Sequence, residues 1–163
     1  MKPFIVGLAI ILLYTTLYVF DVDYRDNRYF LKDLKYVCEE VSISGALFLE
    51  TEEYKEGRII FNQSEAIAAI ENQMKILLKL DDEFNPLPGS YWTDKITYDV
   101  YFLDDSNTIF PTTFVDPDTN YTAAITMPTV VVTINAGDGR SMLSSLNSTT
   151  DNIRSASHTW EGR

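Results

Sequence analysis

The chain has 163 residues, with 24 Asp and Glu against 13 Lys and Arg and a formal net charge of −11. That sign argues against a sequence-independent grip on nucleic acid or anionic lipid headgroups, so no nucleic-acid partner is expected. An apolar, aromatic-rich composition also excludes a disordered chain. A single cysteine, Cys38, and a single histidine, His158, rule out an intrachain disulfide framework, a zinc finger and a histidine-rich metal centre. The expected plan is one folded unit with one appendage.

Residues 4–20 (FIVGLAIILLYTTLYVF) form an uninterrupted uncharged run after Lys2 and Pro3. As a helix it reaches roughly 25 Å, slightly short of the roughly 30 Å hydrocarbon layer. Snorkelling by Lys2 and the Tyr14 and Tyr18 rings can cover the deficit. A signal anchor competes here with a cleaved secretory signal and with a buried core helix. The exit Tyr18-Val19-Phe20-Asp21-Val22-Asp23 has no A-x-A-like cleavage site, which favours the uncleaved anchor. Lys2 precedes the span, while Asp21, Asp23 and Asp26 outnumber Arg25 just after it, a cation bias that weakly favours a cytoplasmic N-terminus. The expectation is a single-pass protein, residues 1–20 the anchor and the rest extracytoplasmic.

From Val22 the apolar residues recur at helical spacing, with charged residues between them and no proline before residue 50. Residues 21–50 are therefore expected to continue the membrane helix as an amphipathic stalk, one rod of about 47 residues or roughly 70 Å. Its stripe, carried by Phe30, Leu34, Val37, Cys38, Val41, Gly45 and Phe48, must be covered, either by the chain's own domain or by neighbouring copies. The small residues Ser42, Ser44, Gly45 and Ala46 permit close backbone approach. Cys38 reads as a buried small hydrophobe or, alternatively, as half of an intermolecular disulfide.

Residues 51–135 are expected to form an α+β head. Glu56-Gly57 signals a turn, residues 58–61 a short strand, and residues 64–80 an amphipathic helix capped by Asn62 or Ser64. Residues 81–89, with two prolines and a glycine, form a loop. Residues 95–103 alternate as a strand with Ile96, Tyr98, Val100 and Phe102 on one face. A second strand, residues 108–115, carries Pro111 and so belongs at an edge or bulge, and residues 121–126 and 129–135 supply more β-branched strand material. The fold class is thus α+β, a long N-terminal helix with a small antiparallel sheet and one amphipathic helix. Residues 136–163 turn polar and are expected to be a mobile tail or to order on a partner.

Chemistry finds little footing. His158 sits near Ser155 and Ser157, but no nucleophile elbow or oxyanion donor pair accompanies it. The carboxylate pairs Glu39/Glu40, Asp81/Asp82 and Asp104/Asp105 read as solvated surface. Asp116-Pro117-Asp118-Thr119-Asn120 imitates the start of a calcium loop, yet Tyr121 and Met127 stand where an EF-hand needs Gly and Glu. Sequons at Asn62, Asn120 and Asn147 indicate surface only. No catalytic residue, metal site or cofactor is expected.

The sequence LKDLKYVCEEVSISGALFL, followed by Gly57-Arg58-Ile59-Ile60-Phe61-Asn62, the helix SEAIAAIENQMKILLKL and Met127-Pro128-Thr129-Val130-Val131-Val132, resembles the TadE-like, pilin-like proteins of the tight-adherence pilus assembly system. The resemblance is one of pattern over roughly residues 4–135. It implies a noncatalytic structural subunit whose apolar first helices bundle while the heads face outward. Pilin precursors are cut after a glycine and usually carry a glutamate five residues into the mature chain; here Leu8 follows Gly7 and Leu12 is the fifth residue, a departure that suits an uncut anchor. Phe4, Ile5, Val6, Gly7, Leu8, Ile10, Ile11, Leu12, Leu13, Leu17 and Phe20 are then the membrane and assembly residues, with the stalk stripe setting the contact register. Expected partners are the membrane, further copies of the chain and other pilus or secretion subunits. The alternative is a monomeric membrane-anchored extracytoplasmic binding module.

Overall fold

The computed structural model describes residues 2–117, 119–142 and 152–162. Helix α1 runs unbroken over Lys2–Ala46, 45 residues or about 68 Å. Its hydroxyls at Thr15 and Thr16 donate back to the Ile11 and Leu12 carbonyls at 2.8 and 2.9 Å, so neither is left unpaired in the apolar run. The rod ends at Ala46, which leaves Phe48 outside it.

A short helix α2, Thr51–Lys55, which the sequence reading did not anticipate, closes on Gly57 in the left-handed region. The strand expected at residues 58–61 is reduced to a single bridge between Leu49 and Phe61. The Ile59 amide donates to the side chain of Asp105 and the Phe61 amide to that of Asp104, while the Glu50 amide donates to the Ile60 carbonyl and the Asn62 amide to the Phe48 carbonyl, so carboxylates hold one edge of this segment and the backbone of residues 48–50 the other. Helix α3, Gln63–Leu78, starts where the Asn62 side chain accepts from the Glu65 amide at 3.1 Å and stops at Lys79 in left-handed conformation. Ala66, Ile70, Met74 and Leu78 form its buried face.

Among the described residues five strands follow: β1 Thr97–Leu103, β2 Thr112–Val115, β3 Thr122–Ile125, β4 Thr129–Asn135 and β5 Ile153–Thr159. They make an antiparallel sheet in the order β1-β4-β5 and a separate β2-β3 hairpin. The strand expected over residues 108–115 is shortened to β2, which starts at Thr112 and leaves Pro111, with no amide hydrogen to donate, just outside it. The architecture is α+β, a long N-terminal helix with a small antiparallel sheet and short helices.

Strand β5 corrects the expectation for the tail. Residues 153–159 pair along their whole length with β4, in a register that sets Val130 opposite His158, Val132 opposite Ala156 and Ile134 opposite Arg154. Low hydrophobicity concealed it: the residue facing the helices at its centre is only Ala156, fully buried, and the residues on the other face are serines that hydrogen-bond. A β4 that is buried from Thr129 to Ile134 needs a neighbour on both sides, and β5 is the second.

The sheet is sandwiched. Val130, Val132, Ile134 and Ala156 pack with Leu34, Val37, Cys38 and Val41 of α1 and with Ile70 and Met74 of α3 in one core. On the opposite face the hairpin is tied down by polar contacts, Asp116 Oδ2 to Thr133 Oγ1 at 2.6 Å and the Tyr121 hydroxyl to Ser157 Oγ at 3.1 Å, with the Phe114 ring against Tyr101.

Candidate functional site

The two halves of α1 have opposite fates. Throughout the apolar window of its first half no residue is buried: Phe4 is 76% exposed, Ile11 and Leu13 both 62%. Ile5, Val6, Leu8, Ile10, Leu12, Leu17 and Phe20 are likewise exposed, and nothing lies within 4 Å of where a Cβ on Gly7 would be. The helix is long and apolar enough to cross a membrane. A buried core helix is thereby overturned for residues 4–20, because the head covers none of them.

Beyond Asp23 the same helix becomes part of the head. Leu34, Val37, Cys38, Val41 and Gly45 are buried against α3, β4 and β5, and Phe30 stacks on Tyr91 at a centroid distance of 3.9 Å. The expectation that this stripe sets the register between copies therefore fails: the chain's own head covers it. The small-residue signal has the same explanation. A Cβ on Gly45 would lie 2.6 Å from Ile70 Cδ1 and 3.5 Å from Val130 Cγ1, so the close approach it permits is to α3 and the sheet. Phe48, half-buried, packs beyond the helix end rather than along it.

Cys38 is fully buried and its thiol donates to the Arg154 carbonyl at 3.1 Å. Burial pushes its pKa up to about 12, against a small opposing effect of Lys35. The intermolecular disulfide is ruled out by this placement, and the buried-hydrophobe alternative stands.

The titratable residues are brought together for structure. Asp104 corrects the solvated-surface reading: it is fully buried, with Oδ2 accepting from the Phe61 amide at 3.1 Å and Oδ1 from the Ser106 hydroxyl at 2.6 Å. Asp116, also buried, accepts from the Thr119 amide at 3.0 Å and holds Thr133, bonds that fix this turn against β4. Asp118, the second ligand position of the calcium-like run, lies outside the described residues, as does the Asn147 sequon. Asp81 is half-buried, and its carboxyl is held below the usual carboxylate range by the Asn85 side chain and by the Asn85 and Glu83 amides. His158 lies on the opposite face of β5 from Ser155 and Ser157, so strand alternation keeps it away from both hydroxyls.

Asp23 is a functional-looking residue that periodicity missed. It is buried at the point where α1 meets the head, accepting from the Ser141 hydroxyl at 2.7 Å and the Met142 amide at 3.1 Å. Above it a cavity of about 620 Å³ opens between α1 and the 138–141 loop, lined by Tyr24, Arg28, Tyr91 and Arg140 among others. Among the described residues no group of three or more His, Cys, Asp or Glu side chains is placed to hold a metal ion. Comparison of the chain with known protein families, curated proteins and solved structures returns no match.

Proposed function

We propose that the chain is a noncatalytic, pilin-like structural subunit, or an accessory pseudopilin, of an extracellular filament or secretion assembly. The single observation that carries this reading is the division of α1. Residues 4–20 form a bare apolar helix, rigidly continuous with a second half that is welded into a compact head. A contiguous apolar surface of that size on an otherwise acidic chain demands a membrane, other copies, or both in turn. In this reading residues 4–20 anchor the protein in the bilayer with the head outside the cytoplasm, then pack against the same residues of neighbouring copies. Apolar burial of roughly 25 cal/mol per Å² along such a seam stabilises a polymer without any ligand.

Mechanical shearing of native cells, followed by high-speed sedimentation and detection with antibody to the head, tests the proposal. A filament subunit enters the sheared, pelletable fraction with its apolar helix retained. Recovery wholly in the detergent-extractable membrane fraction as a monomer would instead support an anchored binding module.

A further inference from the structure

With its inner face covered by the head, the outer half of α1 presents three remaining lines to its surroundings. Asp26, Asp33 and Glu40 recur at every seventh residue up one flank. Arg28, Lys32 and Lys35 run up the other flank, about 130° away around the axis at roughly 100° per residue. Between these flanks, opposite the head, Tyr29, Tyr36 and Ile43 also recur at every seventh residue and stand exposed.

The head reinforces the cationic flank. Arg154 of β5 joins Arg28, Lys32 and Lys35 around a groove of about 280 Å³ between α1 and the sheet, in a chain whose net charge is −11. Lys35 reaches Glu39 at 3.4 Å with both side chains substantially exposed, and Arg28 rests on the Tyr24 ring. On the acidic flank Asp33 borders a shallow groove that also carries Lys79 at the end of α3. Among the described residues, Lys32, Asp26 and Asp33 have no ion-pair partner within their own chain.

We propose that α1 helices of neighbouring copies pack in parallel, with Arg28, Lys32, Lys35 and Arg154 of one copy against Asp26, Asp33 and Glu40 of the next. This inference rests on the assembly reading above. A shared bilayer holds every α1 at one depth, so equal residue numbers lie at equal height. Lys32 then stands within about 1.5 Å of the level of Asp33 on its neighbour, and Arg28 within about 3 Å of Asp26. The two patches are different surfaces of one molecule, so the contact is heterologous and propagates from copy to copy. A twofold pairing through the outer line would instead set Arg25 and Lys32 beside the same residues of the second copy. Exposed ion pairs contribute little affinity; their role here is to select partner, polarity and register while the apolar span supplies the hold.

Site-directed crosslinking of the full chain in native membranes tests this, with a short bismaleimide and the buried Cys38 left in place. A chain carrying both Asp26→Cys and Arg28→Cys, whose side chains point to opposite sides of α1, should give a ladder of dimers, trimers and larger species. Mixed single variants should stop at mixed dimers. Charge reversal supplies the second arm: Asp26→Lys with Asp33→Lys, and Arg28→Glu with Lys32→Glu, should each lose the association and recover it only when the two chains are co-expressed. Strong homotypic dimers through Tyr36→Cys with no ladder from the double variant would overturn the proposal, as would reversed chains that associate like the parent. Filaments without a ladder refute the flank pairing and leave the assembly reading intact; neither filaments nor ladder refutes both.

Discussion

Leu34→Ala separates a stripe that holds the head together from one that joins copies. Leu34 is completely buried among Val37, Cys38, Ile70, Met74 and the central strand. Truncation removes three carbons and leaves a cavity whose walls are fixed on α1, α3 and the sheet, at a cost of about 2–5 kcal/mol. With a urea m-value of about 2 kcal/mol/M, a loss of about 3 kcal/mol lowers the unfolding midpoint by about 1.5 M. The assay is urea unfolding of the full chain in lipid nanodiscs, followed by the fluorescence of buried Trp92. Leu13→Ala is the control: Leu13 is exposed on the membrane half of α1, so the head's stability should stay within about 0.5 kcal/mol of the parent and its midpoint within about 0.25 M. An unchanged midpoint for Leu34→Ala, accompanied by loss of association between copies, would refute the assignment of the stripe to the head.

Truncation before Ile153 removes β5 and should leave the head protease-sensitive and without cooperative unfolding, because β4 loses one of its two neighbours. Asp104→Ala should cost about 2–4 kcal/mol, measured by thermal unfolding, since the Phe61 and Ser106 amides lose their acceptor. Cys38 should resist maleimide at pH 8 in the folded chain and react fully in denaturant, because burial keeps the thiol protonated and covered. Its folded pKa is raised above the unfolded value, so the corresponding stability is present below about pH 9 and is lost as pH rises toward 12. Cys38→Ala should flatten that part of the alkaline stability profile, read as urea midpoints from pH 8 to 11.

Much of the fold was legible because its carriers are large and periodic. The apolar run of residues 4–20, the amphipathic α3 with its Asn62 cap, and the β-branched β4 each follow from residue type and spacing. What escaped was made of small or polar residues whose role exists only in three dimensions. Strand β5 contributes one buried alanine and two hydrogen-bonded serines, which no local pattern distinguishes from a linker. Asp23, Asp104 and Asp116 look like surface acids in sequence and become buried acceptors once distant amides and hydroxyls converge on them. The stalk stripe was correctly located, yet periodicity identifies a face that must be covered without saying by what, and Ile70 against Gly45 supplies the answer. The exposed seven-residue lines of Asp26 and Tyr29 share the period of that buried stripe and differ from it only in the face they occupy.

Immunogold electron microscopy of the native cell surface, with antibody to the head, tests the central claim most directly. Filaments decorated along their length, yielding on release a chain whose intact mass includes residues 1–20, are the predicted result. Gold confined to the membrane with no decorated filament would contradict it.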